Sequence, residues 1–592
     1  MKQFFKFVFA SFVGMLLFSI VMAFFALITV AGMIASQDTT KEPEANSVLV
    51  LNLSGQLTER SEDNIISQLQ GSTTGSIGLD NLLEGIHKAK NNDNIKGIYI
   101  EAGAFAADSY ASMQALRNVL LDFKKSGKWI IAYGDTYTQG TYYLASAADK
   151  VYLNPQGQID WHGLASQPVF IKDLLAKVGV KMQVVKVGAY KSAPEMFTGD
   201  RMSDANREQT AAYLNSIWGN ITKEVGASRQ LSVVQLNAYA DSMITFAAPA
   251  DYVKMKLVDG LVYTDQMKDV VKKQLGLPSD KDIPQVSVTD LKNIEDESQK
   301  EDDNQIAIYY AYGDIVDGAA GGMFAQGHKI DAQTVCKDLE ALGKDKDVKA
   351  VVLRINSGGG SAYASEQIWH QIMKLKKLKP VVVSMGGMAA SGGYYMSAPA
   401  NWIVAEPTTI TGSIGIFGMF PDASGLFAEK LGVKFDEVKT NQHSDFGTQA
   451  RPFTEEEMAF LGQYVDRGYR LFRHRVAEGR RMTDEQVEKI AQGHVFTGQD
   501  ARKIGLVDQL GGLDVALMKA AKLAKLSGYS TCSYPEEPGI IEQLLEQTKP
   551  DNYLSEQLRA NLGDYYEPFS LLKTLGRQSA IQARLPYFPN IH

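Results

Sequence analysis

Cysteine is almost missing from this chain: two in 592 residues, Cys336 and Cys532, far apart and without metal-ligand spacing. That excludes a disulfide framework and a zinc site built on thiolates. Histidine is also scarce. The eight histidines (87, 162, 328, 370, 443, 474, 494 and 592) fall in no triad-like context. Excess positive charge is lacking too, since the net charge is -8 and no long basic stripe or arginine-rich segment offsets it. The group Lys374, Lys376, Lys377 and Lys379 reads as a solvated helix end, so a general nucleic-acid binder is excluded. Long apolar runs are lacking except for one, and a multi-pass transporter is excluded on that pattern.

The single run extends from Phe7 to Ala35 without a charged side chain, behind Lys2 and Lys6. At about 1.5 Å per residue its 29 residues exceed the roughly 30 Å hydrocarbon layer, and the run exceeds the h-region of a cleaved signal peptide. Residues 1–36 are therefore expected to be a membrane anchor. The lysines place the N-terminus in the cytoplasm and export the rest. A long cleaved signal ending near Ala35 is the alternative, and both readings export the body.

That body exceeds what one core normally serves, and it contains the same β/α pattern twice, about 250 residues apart. Short apolar strands closed by glycine open each copy, at residues 47–55 and 305–313. Further strands follow at 95–100 and 348–353, then at 129–132 and 381–384. Later matches are 174–181 with 427–434 and 257–260 with 506–509. So many ordered matches indicate duplication. Continuous apolar strands alternating with helical spans predict an α/β fold with crossover helices and buried, mostly parallel sheets. The expected bodies are residues 46–288 and 305–525, separated by an acidic linker at 289–304 and followed by an extension, 526–592, without a functional signature.

Each copy retains a different half of one catalytic centre. Copy two reads Gly386-Gly387-Met388-Ala389-Ala390-Ser391-Gly392-Gly393-Tyr394-Tyr395, and copy one has Tyr137-Thr138-Gln139-Gly140-Thr141-Tyr142-Tyr143 there, without the serine. Copy one instead offers Lys191 in Gly188-Ala189-Tyr190-Lys191-Ser192-Ala193, and the aligned Asn441-Gln442-His443-Ser444-Asp445 has no lysine. The glycines permit a tight strand-to-helix turn around Ser391, with the Gly392 N–H free at the helix start. A second donor comes from the turn Asn356-Ser357-Gly358-Gly359-Gly360, which is Gly103-Ala104-Phe105-Ala106-Ala107 in copy one. Two such donors make an oxyanion hole. Lys191, among small and aromatic neighbours, can have its pKa lowered from about 10.4 toward neutrality and serve as the base. Ser413, in Thr411-Gly412-Ser413-Ile414-Gly415, could hold the lysine amine or only satisfy its own turn.

These segments, above all 386–395, 411–415 and 188–195, resemble the long, duplicated form of the bacterial protease IV, or signal peptide peptidase A, family. The resemblance implies a ClpP/crotonase-like fold and a Ser-Lys protease without cofactor or metal. It assigns Ser391 as nucleophile, Lys191 as general base, Ser413 as its orienting residue, and the N–H groups of Gly360 and Gly392 as the oxyanion hole. It further implies a homotetramer in a bacterial inner membrane, with the catalytic body in the periplasm and cleaved signal peptides as substrates. The chain departs from the family at Gly358, where the usual turn has proline. The alternatives open at this point are a crotonase-like acyl hydrolase and a catalytically inactive membrane scaffold.

Overall fold

The computed structural model describes residues 2–37, 42–61, 76–292, 294, 303–318, 328–536 and 581–585. Two parallel sheets, one from each copy, form its frame. In copy one the strands Ser76–Gly78, Ser47–Thr58, Ile95–Ala107, Trp129–Tyr137, Lys150–Ile159 and Gly260–Leu261 lie side by side in that order, all parallel. In copy two the order is Val495–Thr497, Ile410–Gly412, Val381–Ala390, Val348–Ser357, Gln305–Tyr312 and Ser530–Tyr534. Only the first pair of that path is antiparallel.

The uninterrupted apolar strands arise because both faces of the second sheet are covered. Side chains alternate across a strand, so Val381 and Val383 join the core beneath helices Ala332–Lys344 and Ala362–Leu375, and Val382 packs with Ala516 and Ala520 of helix Leu513–Ala524. Each fully buried valine or leucine contributes about 1.5–3 kcal/mol. Strand Val381–Ala390 is buried at every position, which gives the residue that follows it a rigid support.

Duplication extends to single elements. Helices Asp204–Arg229 and Glu455–Arg480 are both 26 residues long, capped by Ser203 and Thr454 and ended by left-handed Gln230 and Arg481. The two bodies are not separate, however. Met388, Ala390, Ile410 and Val495 of copy two lie in the core built mainly by copy one. A buried ion pair between Glu59 and Arg354 also crosses the boundary.

A third sheet takes strands from both copies and from the C-terminal extension. Its order is Lys329–Asp331, Asp314–Val316, Gly359–Ser361, Ile581–Arg584, Phe417–Asp422 and Lys181–Lys186. The extension is thus partly built into the body, through Ser530–Tyr534 and Ile581–Arg584. At the other boundary, Leu291 and Ile294 are buried in the first core, so that body continues past 288 into the segment 289–304.

Residues 7–35 lie in one helix, Lys2–Gln37. Among the described residues no helix is long and apolar enough to cross a membrane; the side chains beyond Phe24 in this helix lie outside the described residues.

Candidate active site

The lysine and the serine expected from opposite copies meet. Lys191 Nζ is 2.8 Å from Ser391 Oγ and 3.0 Å from Ser413 Oγ, and it also donates to the Ser413 carbonyl at 3.3 Å. All three residues are at most 1 % exposed. Among the described residues no carboxylate compensates, and burial pushes the Lys191 amine down to about 7.

Ser391 sits where strand Val381–Ala390 turns into helix Gly392–Ser397. Its φ of 54° and ψ of -114° are sparsely populated for a residue with a side chain and cost about 1–3 kcal/mol. The surroundings enforce this conformation: Ser391 N–H donates to the Gly412 carbonyl at 2.8 Å, and the Ser391 carbonyl accepts from Tyr395 N–H at 2.8 Å. The strand itself is anchored from below, since Met388 N–H donates to Asn356 Oδ1 at 3.0 Å.

Lys191 is delivered by the cross-copy strand pair. Lys181–Lys186 runs antiparallel to Phe417–Asp422, with Lys186 opposite Phe417. The chain then stays on copy two, through Val187 N–H to the Ile416 carbonyl at 3.3 Å and Tyr190 N–H to the Gln492 carbonyl at 3.0 Å. From copy one, Gln209 Nε2 donates to the Tyr190 carbonyl at 3.1 Å and to Ser192 Oγ at 3.2 Å, while its Oε1 accepts from Val495 N–H at 3.2 Å. One side chain therefore grips both neighbours of the lysine. The His494 carbonyl accepts from Ser413 N–H at 2.7 Å, and its ring packs between Tyr190 and Phe496, each with centroids 4.3 Å away.

Gly493 closes this nest. Its φ is +81°, and a Cβ there would stand 2.6 Å from Lys191 N and 2.7 Å from its Cα and Cβ. Gly493→Ala is therefore expected to push the lysine backbone away from Ser391 and lower kcat on an unfolded peptide by roughly 10- to 100-fold. KM should change little. Steady-state kinetics of the full chain check this, and an unchanged kcat would contradict the tight contact.

The two expected oxyanion donors lie on adjoining elements, helix Gly392–Ser397 and strand Gly359–Ser361. Gly392 N–H lies at the start of the helix, and Gly360 lies in strand Gly359–Ser361, facing Ala583 of the C-terminal strand. Of the features in this nest, Gly493, Gln209 and His494 were not identified from the sequence. No motif marks them, because each acts through a backbone approach or a contact between segments some 280 residues or more apart.

With this geometry, two family models match the chain. Peptidase family S49 matches residues 122–278 and 373–527, once in each copy, and Clp protease matches 322–403. Protease 4 of Salmonella typhi is 37% identical over 526 residues, covering 86% of this chain and 83% of that protein. Protease 4 of Haemophilus influenzae is 33% identical, covering 86% and 85%. The chloroplastic serine protease SPPA of Arabidopsis thaliana is 30% identical, covering 81% and 69%. The chain belongs to peptidase family S49, with a duplicated, ClpP-like α/β architecture, and its activity is that of a serine protease. Family membership sets aside both the acyl-hydrolase and the inactive-scaffold alternatives.

Proposed function

We propose that this chain is a membrane-anchored endopeptidase in which Ser391 is the nucleophile and Lys191 the general base, acting on unfolded apolar peptides such as cleaved signal peptides. The observation that carries the proposal is the buried 2.8 Å contact between Lys191 Nζ and Ser391 Oγ. An amine with a pKa of about 7 is neutral often enough to accept the serine proton. Ser391 Oγ then attacks the peptide carbonyl, and the negative charge on its oxygen is met by the N–H groups of Gly360 and Gly392. The Lys191 ammonium returns the proton to the departing amine, leaving an acyl-serine. Water, deprotonated by the same lysine, attacks the ester and regenerates Ser391. Ser413 Oγ, 3.0 Å from the amine, keeps it aimed throughout.

The membrane part of the reading rests on helix Lys2–Gln37. Met15, Leu16, Leu17 and Phe18 follow one another at 100° steps around the helix and all are exposed. A helix that is apolar on every side and unpacked against protein is suited to lipid. Lysines at its start favour a cytoplasmic N-terminus and a periplasmic body, in a bacterial inner membrane. Apolar peptide remnants would be concentrated there. A homotetramer, suggested by the family resemblance, completes the proposal.

A fluorophosphonate probe tests the chemistry. Covalent labelling of Ser391, together with chelator-insensitive hydrolysis of unfolded peptides, is expected. Hydrolysis that persists with Ser391 unlabelled under saturating probe would refute the assignment. Flotation of the full chain with lipid vesicles, lost when residues 1–36 are removed, tests the anchor.

A further inference from the structure

The matching helices Asp204–Arg229 and Glu455–Arg480 part company where copy one meets Lys191. The sixth residue of the first is Gln209 and the sixth of the second is Phe460. Phe460 is exposed, whereas Gln209 is only 2 % exposed. A buried primary amide has two N–H donors and a carbonyl acceptor, and leaving any of them unpaired is costly. This amide stands only in the copy that supplies the base, which separates it from the scaffold the copies share.

Gln209 ends a chain of polar groups that begins at the lysine backbone. Lys186 Nζ donates to the Lys191 carbonyl at 3.3 Å and lies 3.9 Å from Glu195 Oε1. Glu195 Oε2 accepts from Asn206 Nδ2 at 3.0 Å. Asn206 is three residues before Gln209 on the same helix face, and its Oδ1 accepts from Gln209 Nε2 at 3.3 Å. Together with the bonds from Gln209 to the Tyr190 carbonyl and Ser192 Oγ, these contacts hold the chain before the lysine, at it and after it. The other end of the amide reaches the nucleophile's side. Val495, whose N–H it accepts, pairs with Gly412, and the Gly412 carbonyl receives Ser391 N–H.

We propose that Gln209 is a positioning residue for the reaction, clamping the Lys191 loop of copy one onto strand Val495–Thr497 of copy two and so keeping the amine buried between Ser391 and Ser413. This rests on the proteolytic reading of Ser391 above. Among the described residues, the charged and titratable groups around the loop engage its backbone or one another: Lys186 and Glu195 on the lysine's own segment, Glu208 of the helix with the Tyr190 hydroxyl, and the His494 ring against Tyr190. The amine itself bonds only to Ser391 and Ser413. Its low pKa of about 7 therefore depends on burial, and a loop that swings away lets water reach the amine and favours the ammonium.

The test compares the unaltered full chain with Gln209→Met, which keeps the length but removes the amide, and Gln209→Asn, which keeps the amide but draws it back by one methylene. Neither adds a charge, so any change in the lysine's titration comes from its position. On an unfolded fluorogenic peptide Gln209→Met should lower kcat by about 10- to 100-fold with KM little changed. The midpoint of its kcat profile should move from about pH 7 to about pH 8 or above. Gln209→Asn should shift both in the same direction by less, and it carries the test if the methionine variant does not fold. Loss of folded protein alone scales the profile down without moving its midpoint. A lower kcat with an unmoved midpoint therefore overturns the proposal and leaves Gln209 a structural role, and an unchanged kcat in both variants overturns it outright. If the unaltered chain neither hydrolyses peptide nor reacts with a fluorophosphonate at Ser391, it is the proteolytic reading that fails.

Discussion

Lys191→Met and Lys191→Arg should each lower kcat by on the order of 10³-fold or more, while the chain still folds and still binds peptide. Methionine keeps the length and apolar packing of the side chain but offers no base. Arginine keeps a cation, and its guanidinium stays protonated at every accessible pH, so it cannot take the Ser391 proton. In the unaltered protein the pH dependence follows from burial, which holds the amine at about 7. Below that value the lysine is an ammonium and cannot accept a proton; above it the neutral amine predominates. Activity should therefore rise between about pH 6 and pH 8 and then level off, and initial rates on a fluorogenic peptide across this range check the sign. Ser413→Ala should reduce kcat less than loss of Lys191. It removes an acceptor that favours the ammonium, so the midpoint of its profile should move to lower pH. Equal activity in the lysine variants, or a profile that falls through neutrality, would remove Lys191 from the mechanism.

The second large effect is expected on stability, far from the nucleophile. Glu59 and Arg354 are 5 % and 2 % exposed, and the pair joins copy one to the strand that precedes the glycine turn. Arg354 also donates to Ser384 Oγ at 3.0 Å and to the Met385 carbonyl at 3.1 Å, both in the strand that carries Ser391. Asn356 Nδ2 reaches Glu59 Oε2 at 3.2 Å. Glu59→Gln leaves a buried guanidinium without its counter-charge, and removal of one partner from such a pair typically costs about 3–5 kcal/mol. The full chain should show a markedly lower first thermal transition and reduced peptidase activity. A double variant, Glu59→Leu with Arg354→Met, should recover most of the lost stability, because two apolar groups need no compensation. If the single variant melts like the unaltered chain, the pair contributes nothing to joining the copies.

Much of the site was legible in the sequence because catalytic asymmetry between two matching copies is itself a pattern. Ser391 stood out among small residues, and Lys191 stood out because its aligned stretch has no lysine. The strands were legible where both faces are buried, as at Val381–Val383, since burial on two sides writes an uninterrupted apolar run. The boundaries were less so. Leu291 and Ile294 are two apolar residues in an acidic segment, and nothing local says that they reach back to the first core. Nor does the segment Ile581–Arg584 have any periodicity: its conformation is set by the two edges it joins, not by its own four side chains. The support around Lys191 was equally hidden. Gly493 is one glycine among 52, and only its approach to the lysine backbone gives it a role.

The strand pair Lys181–Lys186 with Phe417–Asp422 has a kinetic meaning as well. A site whose base and nucleophile lay on separate polypeptides would be lost on dilution below their dissociation constant. Here the encounter is intramolecular, and a tether of this kind typically supplies an effective concentration in the millimolar range. The specific activity of each catalytic centre should then be independent of protein concentration, however the chain associates with copies of itself.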